Sequence, residues 1–181
     1  WNYTGSENIL FGPSSGIVDW VLVEFRSTDG DASTATADKA FYKAAALLMA
    51  DGSVTKTNGT SPLQYTGPIF GNLYVVIWHR NHLPIMSAAA LAPADGDYIY
   101  DFSTVQSYLE GQKPVSGKFV MIGGDSDANG TINAADKMQW NPNAGKSGYF
   151  ASDNDMDGQS DNIDKNDIWD ENLNAGSVIP Q

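Results

Sequence analysis

The sequence predicts a mainly β chain with a small α tail, a β-sandwich over residues 17–110 followed by a pair of loop–helix units over 123–181. Three observations predict it. Short apolar segments of alternating pattern recur between turn-forming residues in the first part. An oxygen-rich loop occurs twice in the second, 28 residues apart. Charge divides the same way, because residues 123–181 carry eleven acids against three Lys, a net −8 of the chain's −12.

Residues 1–16 are polar and Gly-rich, with one apolar patch at Ile9-Leu10-Phe11. They form either a disordered leader or an extended arm that pairs with a sheet edge, in its own molecule or in a neighbour. Residues 17–26 alternate, with Val18, Trp20, Leu22 and Glu24 on one side and Ile17, Asp19, Val21, Val23 and Phe25 on the other. That pattern is a strand buried on much of both faces. Residues 39–50 are rich in Ala and Leu, which favours helix by propensity. Asp51-Gly52 follows directly and leads into Ser53-Val54-Thr55-Lys56-Thr57, so the reading adopted is a hairpin. Asn58-Gly59 is a further turn, and 63–66 a candidate short strand. Residues 73–79, Leu-Tyr-Val-Val-Ile-Trp-His, are the strongest strand signal in the chain. A turn at 81–84 leads into 85–88, and 97–102 alternates again. Seven or so short strands at this spacing predict a sandwich of prealbumin or immunoglobulin-like type, with Trp20, Trp78 and Tyr side chains in its core.

Residues 111–122 read as the junction to the tail. The first loop beyond it runs from Asp125 to Asp136 and puts Asp125, Asp127, Asn129, Thr131, Asn133 and Asp136 at positions 1, 3, 5, 7, 9 and 12. The second places Asp153, Asp155, Asp157, Gln159, Asp161 and Asp164 in the same positions, and Gly130 and Gly158 are the sixth residues. Ca²⁺ takes six to eight hard oxygens at about 2.3–2.6 Å, and a twelve-residue loop supplies them when Gly at position 6 allows a sharp turn. Position 7 offers a backbone carbonyl and position 9 binds through water, so Thr131 and Gln159 need no particular side chain. Asp stands where Glu is usual at position 12, one methylene shorter. An isolated loop of this kind also reads as a solvated acidic turn. Here each copy ends in Asp-Lys and is followed by a Trp, at Asp136-Lys137 with Trp140 and at Asp164-Lys165 with Trp169. Two Ca²⁺ ions are therefore the expected cofactors.

The tandem loops, over roughly residues 122–174, resemble a dockerin-type repeat, the calcium-binding module that docks onto cohesin domains. Ile132 matches the family's apolar position 8 and Ser160 departs from it. Positions 10 and 11 are Ala134-Ala135 and Asn162-Ile163, unlike the hydroxyl-bearing pair of cellulosomal members. A second likeness spans nearly the whole chain. Residues 19–24 (Asp-Trp-Val-Leu-Val-Glu), 47–52 (Leu-Leu-Met-Ala-Asp-Gly) and 74–83 (Tyr-Val-Val-Ile-Trp-His-Arg-Asn-His-Leu), followed by the calcium repeat, look like a module near the C-termini of large secreted or surface proteins of Bacteroidetes-type bacteria. That resemblance implies an extracellular or cell-surface location, and a calcium tail packed on its own sandwich.

The acidic balance offers no basic patch for nucleic acid or anionic membranes, and no apolar run approaches bilayer length. The absence of Cys removes disulfides, thiolate metal sites and Cys nucleophiles. A chain opening at Trp1, without Met or signal peptide, reads as a processed or excised piece. His79 and His82 bracket Arg80-Asn81, yet two His without a third ligand in sequence make a poor catalytic or transition-metal motif. The expectation is a non-enzymatic module. One form is a calcium-rigidified structural or adhesive unit whose partners are other copies of itself or neighbouring domains, joined into a filament through the arm. The other is an accessory module for glycans or a protein partner.

Overall fold

A computed structural model describes residues 3–8 and 16–181. Residues 1, 2 and 9–15 lie outside the described part, and with them the apolar patch of the expected arm.

The long strand β1 (Ile17–Thr28) is the centre of a five-stranded antiparallel sheet ordered β3-β2-β1-β4-β5. Its partners are β2 (Ala40–Met49), β3 (Val54–Thr55), β4 (Asn72–Trp78) and β5 (Ile85–Met86). The helix-prone Ala-Leu segment is a strand, as the turn after it predicts. Leu47 and Leu48 pair with Thr55 and Val54 across that turn, and β1 holds the other edge of β2 from Ile17 opposite Met49 to Arg26 opposite Ala40. Propensity loses to pairing because a strand between two neighbours satisfies its backbone and buries its side chains at once.

Both faces of β1 and β4 are covered, as the sequence of β1 predicts. Side chains alternate along a strand, so Val75 and Ile77 join Val21, Val23, Ala46 and Ile85 on one face, while Tyr74, Val76 and Met86 lie on the other. The covering layers are irregular. On the second face they are the β1–β2 connection, through buried Ala32 and Ala35, and the C-terminal Ile179. On the first they include Leu63, Leu91, Tyr100, Phe102 and Met121. The fold is mainly β and antiparallel, as expected, but loops and two-stranded hairpins stand opposite the sheet where a β-sandwich has a second large one. Of the hairpins, β8–β9 (Gln112–Val115 with Lys118–Met121) reaches the core through Met121, and β6–β7 (Pro93–Ala94 with Asp97–Tyr98) is exposed at all four residues. The 111–122 junction is thus itself an ordered hairpin. Residues 63–66 form no strand, and 97–102 pair only at their first two residues. Proline and glycine at 62, 67 and 68 interrupt any ladder around 63–66.

In the tail, α1 (Ala134–Trp140) follows the first loop, and a π-wound segment, α2 (Asp164–Trp169), follows the second. The backbone N–H of Asp170 donates to the carbonyl of Lys165 five residues back, at 2.9 Å. Strands β10 (Lys146–Ser147) and β11 (Gln159–Ser160) pair beside them. No helix among the described residues is long and apolar enough to cross a membrane.

Candidate metal centre

Each acidic loop gathers three carboxylates. Oxygens of Asp125, Asp127 and Asp136 lie within 4.8 Å of one another, and so do those of Asp153, Asp155 and Asp164. These are positions 1, 3 and 12 of the predicted loops, and each triad can hold a metal ion. In both, positions 1 and 12 are buried and position 3 is exposed, an arrangement with one open side and a closed floor.

The backbone builds these pockets the same way twice. Gly130 (φ +85°) and Gly158 (φ +88°) take the left-handed turn expected at position 6. Position 4 is also left-handed in both, at Ala128 (φ +55°) and Met156 (φ +63°), where a side chain costs on the order of 1–2 kcal/mol. Hydrogen bonds to the acids hold the turns. The Asp125 carboxylate accepts from the N–H of Asn129 (3.0 Å) and of Gly130 (2.9 Å), and Asp153 accepts from Asp157 (3.1 Å) and Gly158 (3.2 Å). The Asp136 carboxylate reaches back to the N–H of Asp127 at 3.1 Å and of Asn133 at 2.7 Å, closing a capping box that starts α1.

The remaining predicted ligands divide. Asn129 and Asp157 at position 5 turn a side-chain oxygen onto the N–H of Thr131 (2.9 Å) and Gln159 (2.8 Å). Asn133 and Asp161 at position 9 accept from Ala135 (2.8 Å) and Ile163 (2.6 Å), so they work as helix-starting caps. Neither Asp157 nor Asp161 belongs to the second triad. Ser160 is fully buried, and its hydroxyl lies 2.9 Å from that of Ser152, which is how a polar residue is accommodated where Ile132 is buried in the first loop.

A pseudo-twofold brace links the loops. The indole N–H of Trp140 donates to the carbonyl of Asp161 at 2.6 Å, and that of Trp169 to the carbonyl of Asn133 at 2.9 Å, each helix gripping position 9 of the other loop. Lys165 lies over the Trp140 ring (4.8 Å) and Lys137 over Trp169 (5.6 Å). The chain after each helix returns along the opposite loop. Gly148 N–H donates to Gly158 O (2.9 Å), Ser177 N–H to Gly130 O (2.7 Å), and the hydroxyl of Ser126 to Asn154 Oδ1 (3.2 Å). The Asp-Lys…Trp signature common to both copies is this brace.

Electrostatics favour a cation. Burial, reinforced by neighbouring carboxylates, pushes Asp125 up to about 6 and raises Asp136, Asp153 and Asp155 above the usual carboxylate range. Among the described residues no Lys or Arg forms an ion pair with the first triad. The second has one distant partner, Arg80 Nη2 at 3.7 Å from Asp153. The donor set is all oxygen, which suits a hard divalent ion. Because Asp125 binds its proton more tightly folded than unfolded, metal-free protein is expected to lose stability as pH rises from about 4 to about 6. Thermal midpoints in chelator across that interval check the sign, and a steady rise would contradict it.

The residues that join this centre to the sheet belong to no motif. Asn81, fully buried after β4, accepts the N–H groups of Gly124 (2.9 Å) and Asp125 (3.1 Å) at its backbone carbonyl. Its side-chain amide donates to the carbonyls of Ala151 (3.0 Å) and Asp153 (2.6 Å). Arg80 stacks on Tyr149 (4.3 Å) and pairs with buried Asp19 (2.8 Å), to which the Tyr149 hydroxyl also donates at 2.6 Å. A buried Asn after a strand carries no local sequence mark.

His79 and His82 stand beside the first loop with their Nδ1 atoms 3.1 Å apart, and His82 Nδ1 is 2.8 Å from Asn81 Oδ1. Burial, then the neighbouring His79 and Arg80, push His82 down to about 3, which leaves a weak base. His79 Nε2 lies 3.3 Å from Asp19 Oδ2. The pair lies between the end of β4 and the first loop, and His82 bridges Gly123. The chain matches no protein-family model, no curated protein and no solved structure.

Proposed function

We propose that this is a non-catalytic, extracellular structural or adhesive module in which two Ca²⁺ ions, one in each Asp triad, rigidify an acidic tail against a β-sheet. The reading rests on one observation, that two loops 28 residues apart share triads, turns and burial, and brace each other reciprocally. A pair of accidental acidic turns has no reason to agree in so many particulars. Asp125, Asp136, Asp153 and Asp164 would form the floors of the sites, with Asp127 and Asp155 closing them. The dockerin-type likeness is kept as part of this proposal, as is the surface location, where free Ca²⁺ is millimolar.

A structural role also suits the edge of β2. It pairs with β3 only at Leu47 and Leu48, and among the described residues no other strand pairs with 40–46 on that side. Glu7, hydrogen-bonded to Tyr3, accepts the Ala45 N–H there at 3.2 Å. An N-terminal arm, its own or a neighbour's, would add to this edge by strand pairing. The accessory reading, with glycans stacked on an aromatic platform, has less support. Phe25, Phe41, Tyr42 and Tyr65 cluster, but their rings cross at 33–89° and pack on one another.

Calorimetric titration with Ca²⁺ tests the proposal. Two ions per chain are expected in the wild type, and one in Asp127→Ala or Asp155→Ala, which remove the oxygen of only the exposed member of a triad. No binding at millimolar Ca²⁺ would overturn it.

A further inference from the structure

We propose that Asn81 is a positioning residue that couples the two ion loops, so that filling one raises the affinity of the other. The inference rests on the calcium reading above and concerns a residue outside both loops.

Asn81 touches the first ligand of each site. Its carbonyl holds the Asp125 N–H, and its amide holds the Asp153 carbonyl. Asp125 and Asp153 are both position 1, where the chain enters the loop and where the carboxylate is buried. The linking residue has little freedom. It is wholly buried, its side-chain oxygen lies 2.8 Å from His82 Nδ1, and the next residues pair with the chain leading into the first loop. There Leu83 N–H donates to Ile122 O at 2.8 Å, and His82 bridges Gly123. An ion that fixes Asp153 therefore fixes the Asn81 amide, and through the same residue the amides of Gly124 and Asp125. Ordering already done for one ion need not be repeated for the other, which is positive cooperativity without a large change of shape.

The two helices also brace the loops, and Ser126 meets Asn154 directly, so the route through Asn81 must be separated from these. Asp127→Ala leaves the second loop to be measured alone, and Asp155→Ala the first. Comparison with the wild type gives the coupling. It is expected to be at least about fivefold, the lower end of ordinary allosteric coupling. In Asn81→Ala the factor is expected to fall close to one, with the larger loss of affinity at the second loop, because the backbone carbonyl that serves the first survives the substitution. In Ser126→Ala the coupling is expected to persist.

A second measurement needs no change at Asn81. In Asp127→Ala, Ca²⁺ entering the second loop alone is expected to slow hydrogen exchange at the Gly124 and Asp125 amides. The proposal is overturned if the wild type binds two ions independently, if Asn81→Ala keeps the full coupling, if Ser126→Ala abolishes it, or if those amides do not respond. Failure to bind Ca²⁺ at all would instead overturn the calcium reading.

Discussion

Stripping Ca²⁺ from the protein is expected to lower its thermal midpoint by roughly 10–20 °C, in one transition. A ligand that binds only the folded state stabilises it by about 2.7 kcal/mol per site at a hundred times its Kd. Two sites give about 5 kcal/mol, and a chain of this size shifts by about 2–4 °C per kcal/mol. The single transition follows from how the tail is attached. Asn81 and Arg80 at the end of β4 hold both loops, and Ile179 packs among Tyr74, Val76 and Met86 on the sheet. A tail that melts must expose that face. Without the ions the carboxylates stay buried and unneutralised, and it is burial first, with their like charge adding to it, that raises Asp125 and Asp136. Scanning calorimetry with and without chelator measures the effect. An unchanged midpoint, or a small early transition that moves while the main one stays, would show that the ions do not hold tail and sheet together.

How much of this was legible in the sequence depended on whether the information was periodic. The triads were legible because the spacing of their oxygens was written twice, and the carboxylates at positions 1, 3 and 12 of each loop do come together. The hairpin through Asp51-Gly52 was legible because a turn outranks the helix propensity of Ala and Leu. The layer opposite the sheet was not. It is made of loops and of single residues such as Ile179, far from their partners in sequence. The caps formed by Asn133 and Asp161 were hidden for another reason: an Asx oxygen is equally good at a water-linked ligand position and at a helix start, and spacing cannot separate the two. Asn81 shows the same limit more sharply, since its role is fixed by carbonyls and amides forty to seventy residues away.

Glu24→Leu is expected to cost about 3–5 kcal/mol in calcium-saturated protein, because it strands a buried cation. Glu24 and Arg26 point to the same face of β1 and are each 1% exposed, with Arg26 Nε 2.5 Å from the Glu24 carboxylate. The guanidinium also donates to the carbonyls of Ala35 (2.9 Å) and Pro180 (2.6 Å), fastening the β1–β2 connection and the C-terminal residues to the sheet. Removing Glu24 leaves those carbonyls in place and the charge without its counter-ion. Arg26→Met should cost less. Glu24 would keep Lys43, whose Nζ lies 2.7 Å from its other oxygen and reaches solvent, and a Met stem fills much of the space of the lost side chain. The double variant is expected to recover part of the Glu24→Leu loss, since replacing both members of a buried pair by apolar groups is often close to neutral. Urea unfolding of the three variants decides between two views of Arg26. If Arg26→Met proves the costlier single change, the clamp on the Ala35 and Pro180 carbonyls outweighs the charge pair.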